Sequence, residues 1–231
     1  DLYNLQSEDK VVREKWIVEA KKGDFNGLSA KLKVSPLAVR CLMNRGVESE
    51  QEMQEFLYGT LDDLHDPFLM KGMDEAVREI VKAREQGRKV AIASDFDCDG
   101  IFSAYILWKG FQKIGLDSEI FTPDRVKEGY GLNRRIVDEA LAGGRDFLVT
   151  CDNGIAANEE VDYAKKLGMT VIVTDHHEVQ EQMPAADVVL DPKRDDETYP
   201  FHGLCGAGVA FKLICAPVSY THLRAHETGR N

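Results

Sequence analysis

The stretch that most constrains this chain is Lys89–Phe111, which reads KVAIASDFDCDGIFSAYILWKGF. Its apolar run Val90–Ala93 is typical of a strand that is buried on both faces of a parallel sheet. Three aspartates follow at alternate positions, Asp95, Asp97 and Asp99, and apolar residues then return at helical spacing. The pattern predicts a strand-to-helix turn with three carboxylates at the carboxyl end of a strand, where open α/β sheets bind their ligands.

Three carboxylates this close repel one another unless a cation or shared protons offset their charge, and a hard divalent ion is the simplest solution. An EF-hand loop is excluded, because Ile106 occupies the position that requires a bidentate Glu and a strand pattern precedes the loop. The nucleophile motif of haloacid-dehalogenase-type phosphatases fits residues 97–100 alone, but it leaves a downstream His pair unexplained. A solvated acidic turn near a helix N-terminus accounts for one Asp rather than three.

Composition limits the classes of protein to consider. The 231 residues suffice for one large domain, or for one domain with an appendage. The net charge of −11 argues against a passive polyanion binder, so contact with a nucleic acid would need local basic groups and bound metal. Five cysteines without a C-x-x-C pair favour a reducing cytoplasm over a disulfide framework or a structural zinc site. We expect no membrane span and no signal peptide, and the missing initial Met suggests a start inside a longer chain.

Strand patterns alternate with helical patterns in the second part of the chain. The strands are predicted at 90–93, 119–122, 147–150, 170–173 and 188–190. Repeated strand–helix–strand units predict the α/β class with a doubly wound, mainly parallel sheet. We assign residues 74–216 to this domain and residues 1–73 to a small helical N-terminal arm, in which Val12, Trp16 and Ala20 are helically spaced.

Metal-competent side chains follow three separate predicted strands. The acidic triplet follows the first strand, Asp152 follows another, and Asp175-His176-His177 follow a third. Because the carboxyl ends of parallel strands lie along one edge of a sheet, we expect these groups to converge. A carboxylate-rich site with one or two His suits Mn²⁺ or Mg²⁺ better than zinc. Two such ions, ~3.5–4 Å apart, would activate water and stabilise an in-line phosphoryl displacement.

These motifs resemble the DHH phosphoesterase superfamily, which is named for the Asp-His-His run, and within it the bacterial RecJ single-stranded-DNA exonucleases. The matching segments are DFDCDG (95–100), PDRVKEGYGLN (123–133), CDNG (151–154), VTDHH (173–177) and LCGAGVAFKL (204–213). The loop P-x-R-x-x-E-G-Y-G-L favours this family over the pyrophosphatases and small-nucleotide phosphodiesterases of the superfamily. The likeness covers nearly everything from about residue 25 to 215.

The resemblance implies roles for individual residues. The implied metal ligands are Asp95, Asp97, Asp99, Asp152 and His176. Asp152 would bridge two ions in the catalytic centre, and His177 would face the scissile phosphate as a hydrogen-bond donor or general acid. Contacts to DNA are implied for Arg125, Tyr130 and Asn133, and contacts from backbone N–H groups to a phosphate for Gly206 and Gly208. Structural alternatives remain open for some of these residues. Arg125 could pair with Glu128, and Gly206 and Gly208 could allow close helix packing.

The resemblance also implies an activity. A protein of this family would be a cytoplasmic, monomeric 5′–3′ exonuclease that needs Mn²⁺ or Mg²⁺. It would release nucleoside 5′-monophosphates from single-stranded DNA in DNA repair and recombination, with a single-strand-binding protein or a helicase as candidate protein partners. One alternative is a DHH enzyme that hydrolyses short oligonucleotides or small phosphorylated substrates. Another is a non-catalytic DHH-like module that binds DNA or a partner, although the retained acids and imidazoles count against it.

The end of the chain departs from the family pattern. We expect the likeness to stop after Cys215 and Pro217 to cut the helix that starts near Gly206. Residues 217–231 are predicted to be a non-native tail. The final metal Asp, the DHH-associated domain and the oligonucleotide-binding fold of the family would then be absent. We therefore expect this fragment to bind metal weakly and to have little or no nuclease activity by itself.

Overall fold

The computed structural model describes residues 21–228, with side chains through residue 217. The chain divides into two compact units, Asp1–Leu64 and His65–Asn231. This division falls slightly before the boundary at 73/74 that the sequence suggested. The predicted helical spacing of Val12, Trp16 and Ala20 lies outside the described residues.

The described part of the first unit is helical, as predicted. Its helices are α1 (Phe25–Leu32), α2 (Pro36–Asn44) and α3 (Glu50–Tyr58). Ser35 caps α2 with Pro at the first helical position, and Ser49 forms a capping box with Glu52 at the start of α3. A small core holds the helices together, formed by Leu32, Val39, Leu42, Met43 and Met53.

The second unit is a five-stranded parallel sheet with helices on both faces. Its elements are α4 (Met73–Glu85), β1 (Lys89–Ser94), α5 (Cys98–Lys113), β2 (Asp117–Phe121), α6 (Arg134–Ala142), β3 (Phe147–Cys151), α7 (Asn158–Lys166), β4 (Thr170–Thr174), β5 (Val188–Leu190) and α8 (Gly206–Thr228). The strand order is β2-β1-β3-β4-β5, and every pair is parallel. The predicted α/β class is confirmed.

Alternate strand residues face the two halves of the core, as the pleat requires. Val90 and Ile92 of β1 lie in a cluster with α4, α5 and α8, whereas Ala91 and Ala93 lie in a cluster with α6 and α7. Both sides of the strand are therefore buried, which explains its unbroken apolar run. None of the helices described between residues 21 and 228 combines the length and hydropathy of a membrane-spanning segment.

The prediction that Pro217 ends the last helix is wrong. Helix α8 runs from Gly206 to Thr228 with Pro217 inside it. A proline removes one backbone hydrogen bond from a helix, and tertiary packing can outweigh that loss. Before Pro217, α8 buries Val209, Leu213 and Ala216 in the core that α4 and α5 share. The assignment of residues 217–231 as a non-native tail stays a prediction.

Gly100 lets the first turn of α5 lie against the end of β1. A Cβ atom at this position would lie 2.6 Å from the carbonyl oxygen of Asp95. We expect Gly100→Ala to lower the free energy of unfolding by about 1–3 kcal/mol, because backbone cannot move aside as a side chain can. Urea denaturation followed by circular dichroism measures the change.

Gly143→Ala is the matched control, since its Cβ would meet no atom closer than 3.4 Å and its φ is −78°. It should change stability by less than about 1 kcal/mol. If Gly100→Ala were as stable as this control, the close approach of α5 to β1 would be contradicted.

Candidate metal centre

The register of the sheet brings four aspartates into one row. Ser94, Cys151, Thr174 and Leu190 are paired across β1, β3, β4 and β5. Each of these strands ends there, and the next residue in each is an aspartate: Asp95, Asp152, Asp175 and Asp191. Their exposed fractions are 1, 2, 1 and 0%. The carboxyl edge of the sheet is therefore a line of buried carboxyl groups, and charge at this density requires cations, protons or hydrogen-bond donors.

The turn from β1 to α5 holds Asp95 and Asp97 in different ways. Asp97 is the N-cap of α5 and its Oδ1 accepts hydrogen bonds from the backbone N–H groups of Asp99 (2.9 Å) and Gly100 (3.0 Å). The Oδ1 atom of Asp95 is buried without a hydrogen-bond partner among the described residues. Burial raises the pKa of Asp95, and the charge of Asp97 adds to this effect. Asp95 therefore has an oxygen that no group in the described part of the chain uses.

Asp152 is the most constrained residue of the edge. Its backbone is in the left-handed region (φ +60°), which is strained for a residue with a side chain, and its N–H donates to the carbonyl of Thr174 (3.1 Å). Its Oδ1 lies 2.9 Å from Nε2 of His176, in a geometry that does not make a hydrogen bond. Burial, followed by the charges of Asp99 and Asp97, raises the pKa of Asp152 to about 7. A bound cation would reverse this effect by favouring the charged form.

Two groups of ligand atoms share Asp152. One comprises atoms of Asp95, Asp97 and Asp152, and the other comprises atoms of Asp152, His176 and His177; within each group the atoms lie within 4.8 Å of one another. Oxygen ligands with one or two imidazoles suit Mn²⁺ or Mg²⁺. The unpartnered buried oxygens of Asp95 and Asp152 are the observation that fits a cation here. The donor set therefore suits two divalent ions with one shared carboxylate.

The two histidines have opposite electrostatic environments. Burial, together with the neighbouring His177, lowers the pKa of His176, so its ring is neutral and free to bind a cation. Burial also disfavours the charged form of His177. A hydrogen bond and the negative charge from Asp175 outweigh that effect and raise the pKa of His177. His176 therefore suits a ligand and His177 suits a proton donor.

Asp175 fixes the orientation of the pair. Its Oδ1 lies 2.7 Å from Nδ1 of His177 and accepts from the backbone N–H groups of both histidines, while its Oδ2 accepts from the N–H of Ile155 (2.9 Å). With Nδ1 engaged in this way, Nε2 of His177 is the nitrogen left for other partners.

A profile of the DHH family, N-terminal domain, matches residues 89–229. This chain belongs to the DHH family. The match runs past Cys215, where we expected the likeness to end. The family is named for the Asp175-His176-His177 run. Its two histidines belong to the second group of ligand atoms, and Asp175 orients His177.

Among DHH proteins the chain is similar to RecJ exonucleases. It is 38% identical over 203 residues to the single-stranded-DNA-specific exonuclease RecJ of Bacillus subtilis, covering 87% of this chain and 26% of that protein. The identity to RecJ of Escherichia coli is 36% over 182 residues, covering 78% of this chain and 31% of that protein. The chain thus spans about a quarter to a third of the length of these curated relatives.

Solved RecJ structures share this DHH fold. The structure of an exonuclease RecJ bound to manganese superposes with a TM-score of 0.61 at 34% identity, covering 66% of this chain and 38% of that one. RecJ of Thermus thermophilus in complex with Mn²⁺ gives a TM-score of 0.64 at 28% identity, covering 86% of this chain and 27% of that one.

Asp99 has a different environment from the one that the DHH motif suggested. Its two carboxylate oxygens accept hydrogen bonds from the backbone N–H groups of Gly206 (2.7 Å) and Ala207 (2.8 Å) at the start of α8. Its Oδ2 lies 3.4 Å from Nε2 of His176, but Asp99 belongs to neither group of ligand atoms. Its role as a ligand stays a prediction.

The expected phosphate contact at Gly206 has another occupant, and the one at Gly208 stays a prediction. The N–H groups of Gly206 and Ala207 bind Asp99 and are not left for a phosphate, because a helix N-terminus favours any nearby anion and the protein supplies one. A Cβ at Gly208 would lie 3.1 Å from the side chain of Leu204, so this glycine serves packing. Gly206 is needed for another reason: a Cβ there would lie 2.5 Å from Oδ1 of Asp152.

The three residues predicted to contact DNA have different surroundings in the structure. The Tyr130 hydroxyl donates to the carbonyl of Asp152 (2.8 Å) and its ring meets the ring of His177 edge-on at 5.9 Å. The guanidinium of Arg125 lies over the ring of Phe96, 5.1 Å from its centroid. Asn133 instead caps α6, because its Oδ1 accepts from the N–H of Ile136 (3.0 Å). Tyr130 lies against His177 of the candidate centre and Arg125 lies over Phe96 in the β1–α5 turn, whereas the side chain of Asn133 has a structural role.

Sequence reasoning did not assign two acidic residues their observed environments: Glu128, and Asp191, which it considered as a ligand and set aside. Glu128, considered above as a partner for Arg125, binds Arg135 instead, and this contact lowers its pKa to about 2. Asp191, which the resemblance did not bring into the ligand set, is part of the row of carboxyl groups, and burial raises its pKa to about 6. The signal for Asp191 was present in the sequence, since it directly follows a strand as Asp95, Asp152 and Asp175 do.

Metal affinity should depend on pH through Asp152. Below its pKa of about 7 a proton must leave before a cation binds, so the affinity for Mn²⁺ should fall about tenfold between pH 8 and pH 6 and level off above pH 8. Isothermal titration calorimetry in buffers of different ionisation enthalpy measures both affinity and proton release. An affinity that is unchanged between pH 6 and pH 8 would contradict a role for Asp152 as ligand.

Gly206→Ala should weaken metal binding by placing a methyl group against Asp152. We expect the affinity for Mn²⁺ to fall at least tenfold, a difference of about 1.4 kcal/mol, while the circular dichroism spectrum is unchanged. Gly208→Ala is the matched control, since the flexible Leu204 side chain can move aside. Equal Mn²⁺ affinity in both variants would show that the contact with Asp152 does not matter.

Proposed function

We propose that this chain is the metal-binding, catalytic part of a Mn²⁺- or Mg²⁺-dependent exonuclease that acts on single-stranded DNA. One observation carries the proposal: two groups of ligand atoms meet at Asp152, on a sheet edge lined by buried carboxyl groups. A shared carboxylate between two cation positions is the arrangement used for in-line phosphoryl displacement.

The named relatives support the choice of substrate. The similar curated proteins are named single-stranded-DNA-specific exonucleases, and the similar solved structures contain Mn²⁺ or Mg²⁺. Because this chain spans only part of those proteins, the activity is proposed for the protein that contains this domain. The 5′–3′ direction, the release of nucleoside 5′-monophosphates, the role in DNA repair and recombination, and a single-strand-binding protein or helicase as partner belong to the same proposal. So do its action as a monomer and its cytoplasmic location.

The first task of the site would be to hold the metal ions. Asp95, Asp97, Asp152 and His176 would hold the ions, with Asp152 shared between them and Asp99 beside them. The ions would supply a Lewis acid for the phosphate and a means of activating water at neutral pH.

Proton transfer and substrate contact would fall to residues beside the ions. His177, held by Asp175, would donate a hydrogen bond or a proton at the phosphate. Tyr130 would contact the substrate from its position against His177, and Arg125 would supply positive charge near the phosphate.

The support is electrostatic as well as geometric. A buried row of carboxyl groups would repel a phosphate if it were left uncompensated, so an anionic substrate can approach only when cations are bound. Binding of metal and binding of DNA should therefore be coupled at this edge. The net charge of −11 makes the dependence stronger, because the overall field also repels a polyanion.

The test, made with the protein that contains this domain, is hydrolysis of a 5′-phosphorylated, fluorescent single-stranded oligonucleotide with Mn²⁺, followed by gel electrophoresis. We expect shortening of the strand from its 5′ end that EDTA abolishes. Asp152→Asn should reduce the rate at least a hundredfold, since it removes the charge that both cation positions share. Asp162→Asn, an exposed carboxylate of α7, is the control and should keep the wild-type rate.

Four results would count against the proposal. Shortening that persists in EDTA, or an Asp152→Asn variant as fast as wild type, would contradict the metal mechanism. Absence of Mn²⁺ binding by calorimetry would favour a non-catalytic module. Efficient cleavage of dinucleotides with no action on long single strands would favour a phosphodiesterase of short substrates.

A further inference from the structure

Helix α5 carries an exposed aromatic face outside the metal centre, and of its residues only Trp108 also packs against the core. The face consists of Ile101, Phe102, Tyr105, Trp108 and Lys109, which recur at intervals of three and four residues and therefore lie on one side of the helix. We call it the α5 face. Exposed fractions of 56, 61 and 53% for Ile101, Phe102 and Tyr105 are large for apolar side chains, and Trp108 is half-buried. A contiguous apolar face of this kind indicates a binding surface.

The fold does not require apolar residues on this side of α5. The core is filled by the opposite side of the helix, where Ala104, Leu107 and Phe111 are buried against α4 and α8. The aromatic rings are in contact with one another: Tyr105 and Trp108 lie 6.1 Å apart between ring centroids. Their outer faces are open to solvent in the described part of the chain.

The charge on the α5 face points to an anionic ligand. Nζ of Lys109 lies 4.8 Å from the ring centroid of Trp108 and 6.0 Å from that of Tyr105. Lys113 follows one turn later, at the end of the helix. The only acidic residue of α5 is Asp99 in its first turn, and the N–H groups of Gly206 and Ala207 bind its carboxylate. Aromatic rings with interleaved cations and no carboxylate form an unusual surface in a chain with a net charge of −11.

Single-stranded nucleic acid matches this combination better than a protein surface does. Its bases stack on exposed aromatic rings whatever their sequence, and its phosphates pair with lysines between the rings. An apolar protein partner would account for the rings, but it would leave Lys109 without an anion. Duplex DNA would not account for the rings, because its bases are already stacked.

The location of the α5 face links it to the metal centre. The N-cap of α5 is Asp97, a member of the first group of ligand atoms, and the face begins one turn later at Ile101. From Ile101 to Lys109 the helix rises ~12 Å, which is room for more than one stacked base. A strand with one phosphate at the metal centre can therefore continue along α5.

We propose that the α5 face binds single-stranded DNA next to the nucleotide held at the metal centre, with bases on Phe102, Tyr105 and Trp108 and a phosphate on Lys109. The proposal rests on the proposed function, since it assumes a single-stranded substrate. It adds a determinant of strand length: oligonucleotides long enough to reach the α5 face should bind more tightly than dinucleotides.

Trp108 provides a direct test, because stacking of a base on an indole quenches its fluorescence. The chain has two tryptophans, so Trp16→Phe leaves Trp108 as the only reporter. Titration with a hydrolysis-resistant phosphorothioate oligothymidylate in Mg²⁺, which keeps cations at the metal centre, should quench the emission. An abasic deoxyribose-phosphate chain of equal length should quench little and bind more weakly. Equal binding of the abasic chain, or no quenching by oligothymidylate, would overturn the proposal without requiring any variant of the face.

Variants separate the rings from the charge. Phe102→Ala with Tyr105→Ala should weaken oligothymidylate binding at least tenfold, about 1.4 kcal/mol, while Mn²⁺ affinity is unchanged. Lys109→Gln should weaken binding and reduce the salt dependence by about one phosphate contact. The matched controls are Leu167→Ala and Lys166→Gln, an exposed apolar residue and an exposed lysine at the end of α7. Binding that falls as much in the controls as in the face variants would overturn the proposal.

Three further outcomes distinguish the α5 proposal from its alternatives and from the proposed function. If the wild-type chain dimerises in sedimentation experiments and the Phe102→Ala/Tyr105→Ala double variant does not, the face is a protein interface and the proposal fails. If strands are bound through the face as predicted but no metal-dependent hydrolysis occurs, the α5 proposal stands and the proposed function fails. If metal-dependent hydrolysis occurs but substitutions on the α5 face leave strand binding unchanged, the proposed function stands and the α5 proposal fails.

Discussion

Mutual repulsion among buried carboxyl groups is the constraint on which the structure of this chain depends. The parallel register aligns the ends of four strands, and each end is followed by an aspartate that is almost fully buried. Such a row is unstable unless donors or cations compensate for its charge. Asp175 is compensated by three backbone N–H groups and the ring of His177, whereas Asp95 and Asp152 retain oxygens without partners among the described residues. Divalent ions fit at these two aspartates, because their charge is not fully compensated by the protein.

Helix N-termini supply much of the compensation that the protein does provide. The first turn of α5 binds Asp97, and the first turn of α8 binds both oxygens of Asp99. In each case backbone N–H groups and the positive end of the helix dipole stabilise a carboxylate. These contacts fix two carboxylates of the β1–α5 turn and hold α8 close to Asp152. The close approach explains why position 206 has no side chain.

The two histidines show how one motif gives two chemical roles. They are adjacent in sequence and their rings lie 4.4 Å apart, yet the pKa of His176 is lowered and that of His177 is raised. The difference arises from Asp175, which binds the ring of His177 only. Burial lowers the pKa of both rings, and a single hydrogen-bonded carboxylate reverses the outcome for one of them. A neutral ligand and a proton donor can therefore lie side by side.

The α/β class, the helices α1 to α3 and the types of side chain at the edge of the sheet could all be predicted from the residues, because hydrophobic periodicity and residue chemistry are local properties. The same reasoning placed Asp95, Asp97, Asp152 and His176 together, since parallel strands end at a common edge. How each carboxylate is used became evident from the three-dimensional arrangement alone. The amides that bind Asp99 come from residues 206 and 207, so local sequence could not show that a carboxylate already occupies them in place of a phosphate. Helix α8 likewise continues through Pro217, where local propensity predicted its end.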